Sequence, residues 1–198
     1  SSVILLLILS TLSGVFNVND DFVDNEDIID KDSFRSHFTS KNSNDWSASG
    51  SAANPVVAIS VDTSSNNEMV VAGVISGSTT MSMGSASVTS GQYVEPWIAK
   101  ADSNGNWQWI EKISITGTSQ YAEASITDIS VAANGDIFAT GMFYESIAFG
   151  SIVLTSTGYW DCWTAKLSSS GQWQWAESLR GDGDYDGATV TTLDVVYG

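Results

Sequence analysis

An all-β chain assembled from repeated four-stranded antiparallel units is predicted by three observations. Trp107-Gln108-Trp109 returns as Trp173-Gln174-Trp175, 66 residues later (173 − 107). Around these tryptophans, residues 97–109 lie over residues 163–175 without a gap, sharing the Ala-Lys pairs Ala99-Lys100 and Ala165-Lys166 and the glycines Gly105 and Gly171. Between the landmarks run short segments rich in β-branched and aromatic residues, broken by Asn-Gly and Ser-Gly turns, with no helical period of 3.6. A long-period repeat of this kind marks an array whose units bury their faces against one another. Four antiparallel strands per unit predict a β-propeller: about two blades plus the start of a third, so that the sequence reads as a fragment. A β-solenoid would repeat at a shorter interval and tandem sandwich domains at a longer one.

Taken in order, residues 1–16 read as a partial signal peptide. Residues 3–9 are unbroken apolar, and Thr11-Leu12-Ser13-Gly14 supplies small residues suited to cleavage after about Ser13. The run is too short to span a bilayer, which takes roughly 20 apolar residues. Residues 17–54 hold Asp20, Asp21, Asp24, Glu26, Asp27, Asp30 and Asp32 among Ser and Asn. That composition cannot bury enough apolar surface to fold alone and reads as a disordered acidic spacer. Near its end Asp45-Trp46 is read as a degenerate last strand offering a tryptophan to the first blade.

Residues 55–198 carry the repeats, with blade 1 over about 56–125, blade 2 over about 126–190 and a third starting at about 191. Gly84 matches Gly150 and Glu95 matches Asp161 at the offset of 66, and Gly73 matches Gly141 at 68 (141 − 73). Ile59-Ser60-Val61 aligns with Ile129-Ser130-Val131 at 70 (129 − 59), which places short insertions in loops of the first copy. Tyr185 answers Tyr121 at 64 (185 − 121), and Leu193-Asp194-Val195 opens the third copy. Within a copy, Ile129 and Val131 alternate with polar neighbours, Asn134-Gly135 turns, and residues 136–142 form a second strand. Residues 163–167 and 173–176 then flank the turn at Gly171. Asn104-Gly105 is expected to form a two-residue hairpin turn with positive φ at both central positions. Propeller blades run roughly 40 to 50 residues in the familiar families. A unit in the sixties therefore implies longer loops, as in the stretch from Gly73 to Tyr93, and loops are where binding usually sits.

At these residues the chain resembles the SBBP-type β-propeller repeats of secreted and surface proteins. The pattern is a glycine, a small-residue loop, an acid, an aromatic-x-Ala-Lys strand, a Ser/Asn-Gly turn, a Trp-x-Trp strand and a glycine-acid loop. It runs from Gly150 to Gly187, with a poorer copy from Gly84 to Glu123, and the likeness covers roughly residues 56 to 198. The chain departs from the family in carrying Trp97 and Trp163 where phenylalanine or another apolar residue is usual. The resemblance implies a propeller fold and an extracellular or cell-surface location, and it says little about activity.

Composition bears on partners. Seven basic residues against 23 acidic ones give a net charge of −16. A surface that anionic repels nucleic acid and anionic membranes, so neither is an expected partner, and no membrane insertion is expected beyond the signal peptide. The single cysteine, Cys162, excludes an internal disulfide and reads as a small buried hydrophobe. The single histidine, His37, lies in the acidic stretch, which excludes a histidine-based triad and a His-x-x-x-His zinc site within the repeats. Neither a G-x-S-x-G elbow nor a phosphate-binding glycine loop occurs; Gly181-Asp182-Gly183 lacks both spacing and helix context. No catalytic residue is therefore assigned.

Two features remain. Asp182, Asp184 and Asp186 stand at positions 1, 3 and 5 of the front half of a calcium loop with Gly187 at 6. Val190 and Leu193 occupy positions 9 and 12, so the bidentate acid is missing, and the stretch reads as a solvated inter-blade turn, with calcium binding as the alternative. Of the tryptophans, Trp107 with Trp109 and Trp173 with Trp175 are two apart. They are expected on one strand face, filling the space between blades. Trp160, next to Tyr159 in the loop before the third strand, is the candidate for an exposed ligand platform; Val94 takes its place in the first copy. The expected function is a secreted or surface-displayed, non-catalytic binding or adhesion scaffold presenting loops to an extracellular protein or glycan, with the remaining blades of the same chain as further partners. The alternative is a propeller hydrolase or lyase acting on extracellular polysaccharide through channel-face carboxylates.

Overall fold

The computed structural model of the chain describes residues 16–18, 36–38, 50–52, 56–157, 159–180 and 193–194. Among them every regular element is a β-strand. Within the acidic stretch, β1 (Phe16–Val18) and β2 (Ser36–Phe38) form a parallel pair. The first repeat comprises β3 (Gly50–Ala52), β4 (Val56–Thr63), β5 (Met69–Ile75), β6 (Thr80–Met83), β7 (Ala86–Thr89), β8 (Glu95–Ala101) and β9 (Trp107–Lys112). The second comprises β10 (Ser114–Ile115), β11 (Glu123–Val131), β12 (Ile137–Tyr144), β13 (Ser146–Phe149), β14 (Ile152–Thr155), β15 (Asp161–Leu167) and β16 (Trp173–Leu179). Four strands of each form an antiparallel sheet, in the orders β4-β5-β8-β9 and β11-β12-β15-β16.

The extra length of the repeat is not loop. Between the second and third strands of each large sheet a hairpin is inserted, β6–β7 or β13–β14, which gains a third strand from the segment entering the repeat, β3 or β10. The stretch from Gly73 to Tyr93, expected as loop, is thus the end of one strand plus a hairpin. Its alternation was short but regular: Met81 and Met83 are buried while Thr80 and Ser82 are not. In the second copy Ile147 and Phe149 take those places, and Phe149 meets Trp163 edge-on at 5.2 Å and Trp173 at 4.9 Å.

The first strands of the two large sheets also correct the alignment. Ala58 pairs with Gly73 and Ser60 with Ala72, while Ile126 pairs with Gly141 and Asp128 with Thr140. Ser60 is therefore equivalent to Asp128, at the offset of 68, and the match of Ile59-Ser60-Val61 to residues 129–131 at 70 is two residues out of register. It was misled by similar apolar residues on both sides of a β-bulge, which lies between Ala58 and Ser60 and again between Ile126 and Asp128.

Face-to-face stacking explains why these strands are buried on both sides. In β8 every residue from Glu95 to Ala101 is buried. Met69, Val71, Trp97 and Ala99 face one way, with Met81 and Met83. Val70, Ala72 and Ile98 face the other way, where they join Ile126, Ile137 and Trp163 of the second repeat in one core. The two faces of a strand alternate with period two, so a sheet with apolar residues at both parities must be covered twice. Polar contacts fix the docking: Ser60 Oγ donates to Asp128 Oδ1 at 2.7 Å and Val131 N donates to Asp62 Oδ2 at 2.7 Å. Leu193 N donates to Asp128 Oδ2 at 2.8 Å, repeating one unit later the bond from Ile129 N to Ser60 Oγ at 3.4 Å. Leu193, at the point where the sequence suggests a third copy, thus makes with the second repeat a bond like the one Ile129 makes with the first.

The tryptophan pairs divide differently from the expectation. A bulge between Lys100 and Ala101 sets Trp109 opposite Lys100 and Trp107 opposite Ala101, and the same irregularity recurs between Lys166 and Leu167. The bulge turns the two residues to opposite faces. Trp107 packs in the first repeat's own core and Trp109 in the core between the repeats, where its indole N–H donates to Ser169 O at 3.2 Å. A Cβ on Gly171 would lie 2.9 Å from the Trp109 ring, so the second repeat's turn needs glycine there to sit on it. Trp175, the equivalent of Trp109, is 37% exposed and rests against Phe138 at 6.1 Å.

All four turns within the large sheets share one geometry. Gly105 N donates to Asp102 O and Asp102 N to Asn106 O, and the set recurs at Ser64–Glu68, Ala132–Asp136 and Ser168–Gln172. Only the fourth residue has positive φ: Asn67 (59°), Gly105 (82°), Gly135 (83°) and Gly171 (79°). These are three-residue loops closed by a left-handed residue, not the two-residue turn expected at Asn104-Gly105. The acid ending the turn before the second strand holds the Ala-Lys lysine, Glu68 to Lys100 at 3.0 Å and Asp136 to Lys166 at 2.7 Å. The Lys166 ammonium, with help from Asn134, keeps the Asp136 carboxyl below the usual carboxylate range. A folded-state pKa below the unfolded one stabilises above the unfolded value, and that contribution is lost as pH falls through the folded one. Below about pH 4 the melting temperature of the chain should therefore drop, and in Asp136→Asn, followed by thermal unfolding across pH, that drop should be shallower.

Candidate functional site

A cleft of about 860 Å³ opens at one end of the two large sheets. Its walls come from the segments entering the third strands of both repeats and from the β10–β11 connection. The segment before β8 brings Gln92, Tyr93 and Val94, and the equivalent segment before β15 brings Tyr159 and Trp160. Tyr93 and Tyr159 are repeat equivalents, 66 residues apart (159 − 93). The β10–β11 connection adds Gln120 and Tyr121, with Glu123 at the start of β11; Tyr144, paired with Glu123 across the sheet, ends β12 and forms the floor. Tyr144 lies 5.8 Å from Tyr159 at 41° and 6.4 Å from Trp160 at 39°, so the three rings form one aromatic cluster in the cleft. Tyr121 is 69% exposed and Tyr159 53%.

The cleft's shape is held by acids that do not line it. Glu145, next to Tyr144, has φ of 73° and accepts from Thr118 N and Ser119 N, both at 3.1 Å. Left-handed backbone in a non-glycine residue is strained by about 1–3 kcal/mol and persists where its surroundings impose it. Here Glu145 N donates to Ser156 Oγ at 2.8 Å, and Ser156 N donates to Glu145 O at 2.7 Å. Glu145 thereby ties the Tyr121 loop to the segment that leads to Tyr159. Glu95 and Asp161 play a second repeated part. Each is buried and closes the hairpin return, Gly91 N donating to Glu95 at 2.8 Å and Thr157 N to Asp161 at 2.9 Å. Glu95 also accepts from Lys112 Nζ at 2.7 Å and from Ile115 N at 3.0 Å. Their match in the sequence therefore reflects a structural turn. Beside Asp161, Cys162 is buried, and burial together with the Asp161 charge pushes its thiol pKa up.

The sequence singled out two of the lining residues, Tyr159 and Trp160, and the fold brings them together with eight it did not single out for binding, among them Gln92, Tyr93, Gln120, Tyr121, Glu123 and Tyr144. The recurrence of Tyr93 as Tyr159 was the available signal. Asp182, Asp184 and Asp186 lie outside the described residues; among the described residues no group of three or more His, Cys, Asp or Glu side chains could hold a metal ion. Trp97 and Trp163 are fully buried and offer no platform. No family model matches the chain, and no curated protein does either.

Proposed function

We propose that the chain is part of a β-propeller of SBBP-type repeats, secreted or displayed at the cell surface, that works as a non-catalytic binding or adhesion scaffold. The observation that carries this reading is the aromatic cleft. Loops at the same end of two near-identical frames build it, yet its contents differ between copies, with Trp160 where the first repeat has Val94. A rigid repeated frame with variable loop chemistry at one rim is how scaffolds present recognition surfaces. The net charge of −16, the apolar run at residues 3–9 and the face-to-face stacking of the sheets support the location and the architecture.

The test is retention of the fluorescently labelled chain on extracellular matrix material and intact cell surfaces, with polymer length followed in parallel. The wild type should be retained without new reducing ends appearing. The variant Tyr159→Ala/Trp160→Ala should lose retention while its melting temperature stays within about 2–4 °C of wild type, the shift that roughly 1 kcal/mol gives in a chain of this size. Retention unchanged in the variant, or a rise in reducing ends abolished by carboxylate substitution, would contradict the reading.

A further inference from the structure

We propose that the cleft takes a neutral oligosaccharide, bound along the aromatic floor of Tyr144, Tyr159 and Trp160; the inference rests on the scaffold reading above and names its ligand class. Four properties of the cleft converge on this class. First, the three rings line the cleft together, Tyr159 exposed and Tyr144 and Trp160 half-buried. The C–H face of a pyranose is the apolar, weakly positive partner that the negative face of an aromatic ring attracts. Second, the polar groups are of the kind that pairs with hydroxyls. Gln92 and Gln120 each bring an amide with donors and acceptors, Glu123 brings a carboxylate, and among the described residues none of the three side chains has a hydrogen-bond or ion-pair partner.

Third, charge selects against the acidic alternatives. Among the described residues no lysine or arginine lines the cleft, Glu123 does, and the chain carries −16. A uronate, sulfate or phosphate would enter a repulsive field without a counter-charge. Fourth, size selects against a lone cationic group. An ammonium cage needs rings within about 6 Å of one point, whereas about 860 Å³ falls in the upper part of the roughly 300–1,000 Å³ range of pockets for ligands of several rings. Preorganisation completes the case. Glu145, held at φ of 73°, anchors both the Tyr121 loop and the segment leading to Tyr159, so the walls are in place before a ligand arrives.

The experiment titrates the whole chain with three sets of probes, followed by indole fluorescence and calorimetry. The first is a panel of neutral hexasaccharides built from glucose, mannose, galactose, xylose or N-acetylglucosamine. The second is the uronic-acid counterparts, and the third a trimethyl-lysine peptide. Saturable binding of at least one neutral probe is expected, insensitive to salt. Trp160→Val, which installs the residue of the first repeat, should weaken it about tenfold, the equivalent of losing one good aromatic contact. Glu145→Ala should weaken it further than Glu145→Gln, with the Trp160 signal still responsive, as befits a positioning residue. No binding of any neutral probe up to millimolar concentration would overturn the proposal. So would binding only of the uronates or of the peptide, an outcome that, if lost in Trp160→Val, leaves the scaffold reading standing with another ligand class. Silence of all three sets together with no cell-surface retention overturns both.

Discussion

Gly141→Ala should destabilise the chain by about 3 kcal/mol or more, at the top of the range for overpacking, lowering its melting temperature by roughly 6–12 °C. A Cβ at Gly141 would lie 2.0 Å from Ser125 O and 2.7 Å from the Trp163 ring. Neither obstacle can move. Ser125 O accepts the Trp163 indole N–H at 3.1 Å, and the ring is fully buried against Phe149. Gly73→Ala should have a comparable effect, since its Cβ would lie 1.8 Å from Val57 O and Trp97 is equally buried. Circular dichroism melts of both variants check this. A loss under about 1 kcal/mol in either would mean that the bulged first strands do not approach the second strands as described.

The second large effect is expected at Glu95. Its carboxylate is 3% exposed and is shared by Lys112 Nζ, Gly91 N and Ile115 N. Glu95→Ala leaves one ammonium and two part-buried N–H groups without their acceptor; with Lys112 24% exposed, the cost falls at the low end, about 3 kcal/mol, of that for a buried pair losing one member. Glu95→Gln keeps one carbonyl acceptor for Gly91 N and Lys112 Nζ and should cost less than Glu95→Ala, although its NH2 group no longer accepts from Ile115 N and the bond to Lys112 loses its charge. Because Glu95 ties β8 both to the hairpin return and to β10, its loss should also free the first wall of the cleft. Hydrogen exchange at residues 91–94 and 113–115 should rise in Glu95→Ala at temperatures where the rest of the chain stays protected.

Much of the frame was legible because the repeat displays it twice. Trp97 to Trp109 against Trp163 to Trp175 located the third and fourth strands, and Asn134-Gly135 and Ser170-Gly171 located turns. The turns at Ser64–Glu68 and Asp102–Asn106 show the limit of a dipeptide signal. In the structure the left-handed place is filled by Asn67 in one and by Gly105 in the other, and a third loop residue precedes it. The bulge beside Gln108 could not be read from spacing, since a bulge converts a separation of two into opposite faces. The hairpin at Thr80–Thr89 was hidden by its serines and threonines, although Met81 and Met83 carried the period.

The cleft was the least legible part. Its residues come from four segments that are distant in the chain, and only the pairing of β11 with β12 brings Glu123 against Tyr144. Tyr159 and Trp160 stood out because aromatic residues in a loop are unusual. Gln92 and Gln120 carry no local signal and gain meaning only from the shared opening.

An experimental structure bears most directly on the proposed architecture, in which successive sheets stack face to face as blades around an axis lined by their first strands. A ring of four-stranded blades is expected. In it β4 and β11 lie innermost, Val70, Ala72 and Ile98 are sealed against the next blade, and each junction repeats the Asp128 to Leu193 hydrogen bond. An open arrangement in which those three residues face solvent, or sheets joined edge to edge, would contradict it.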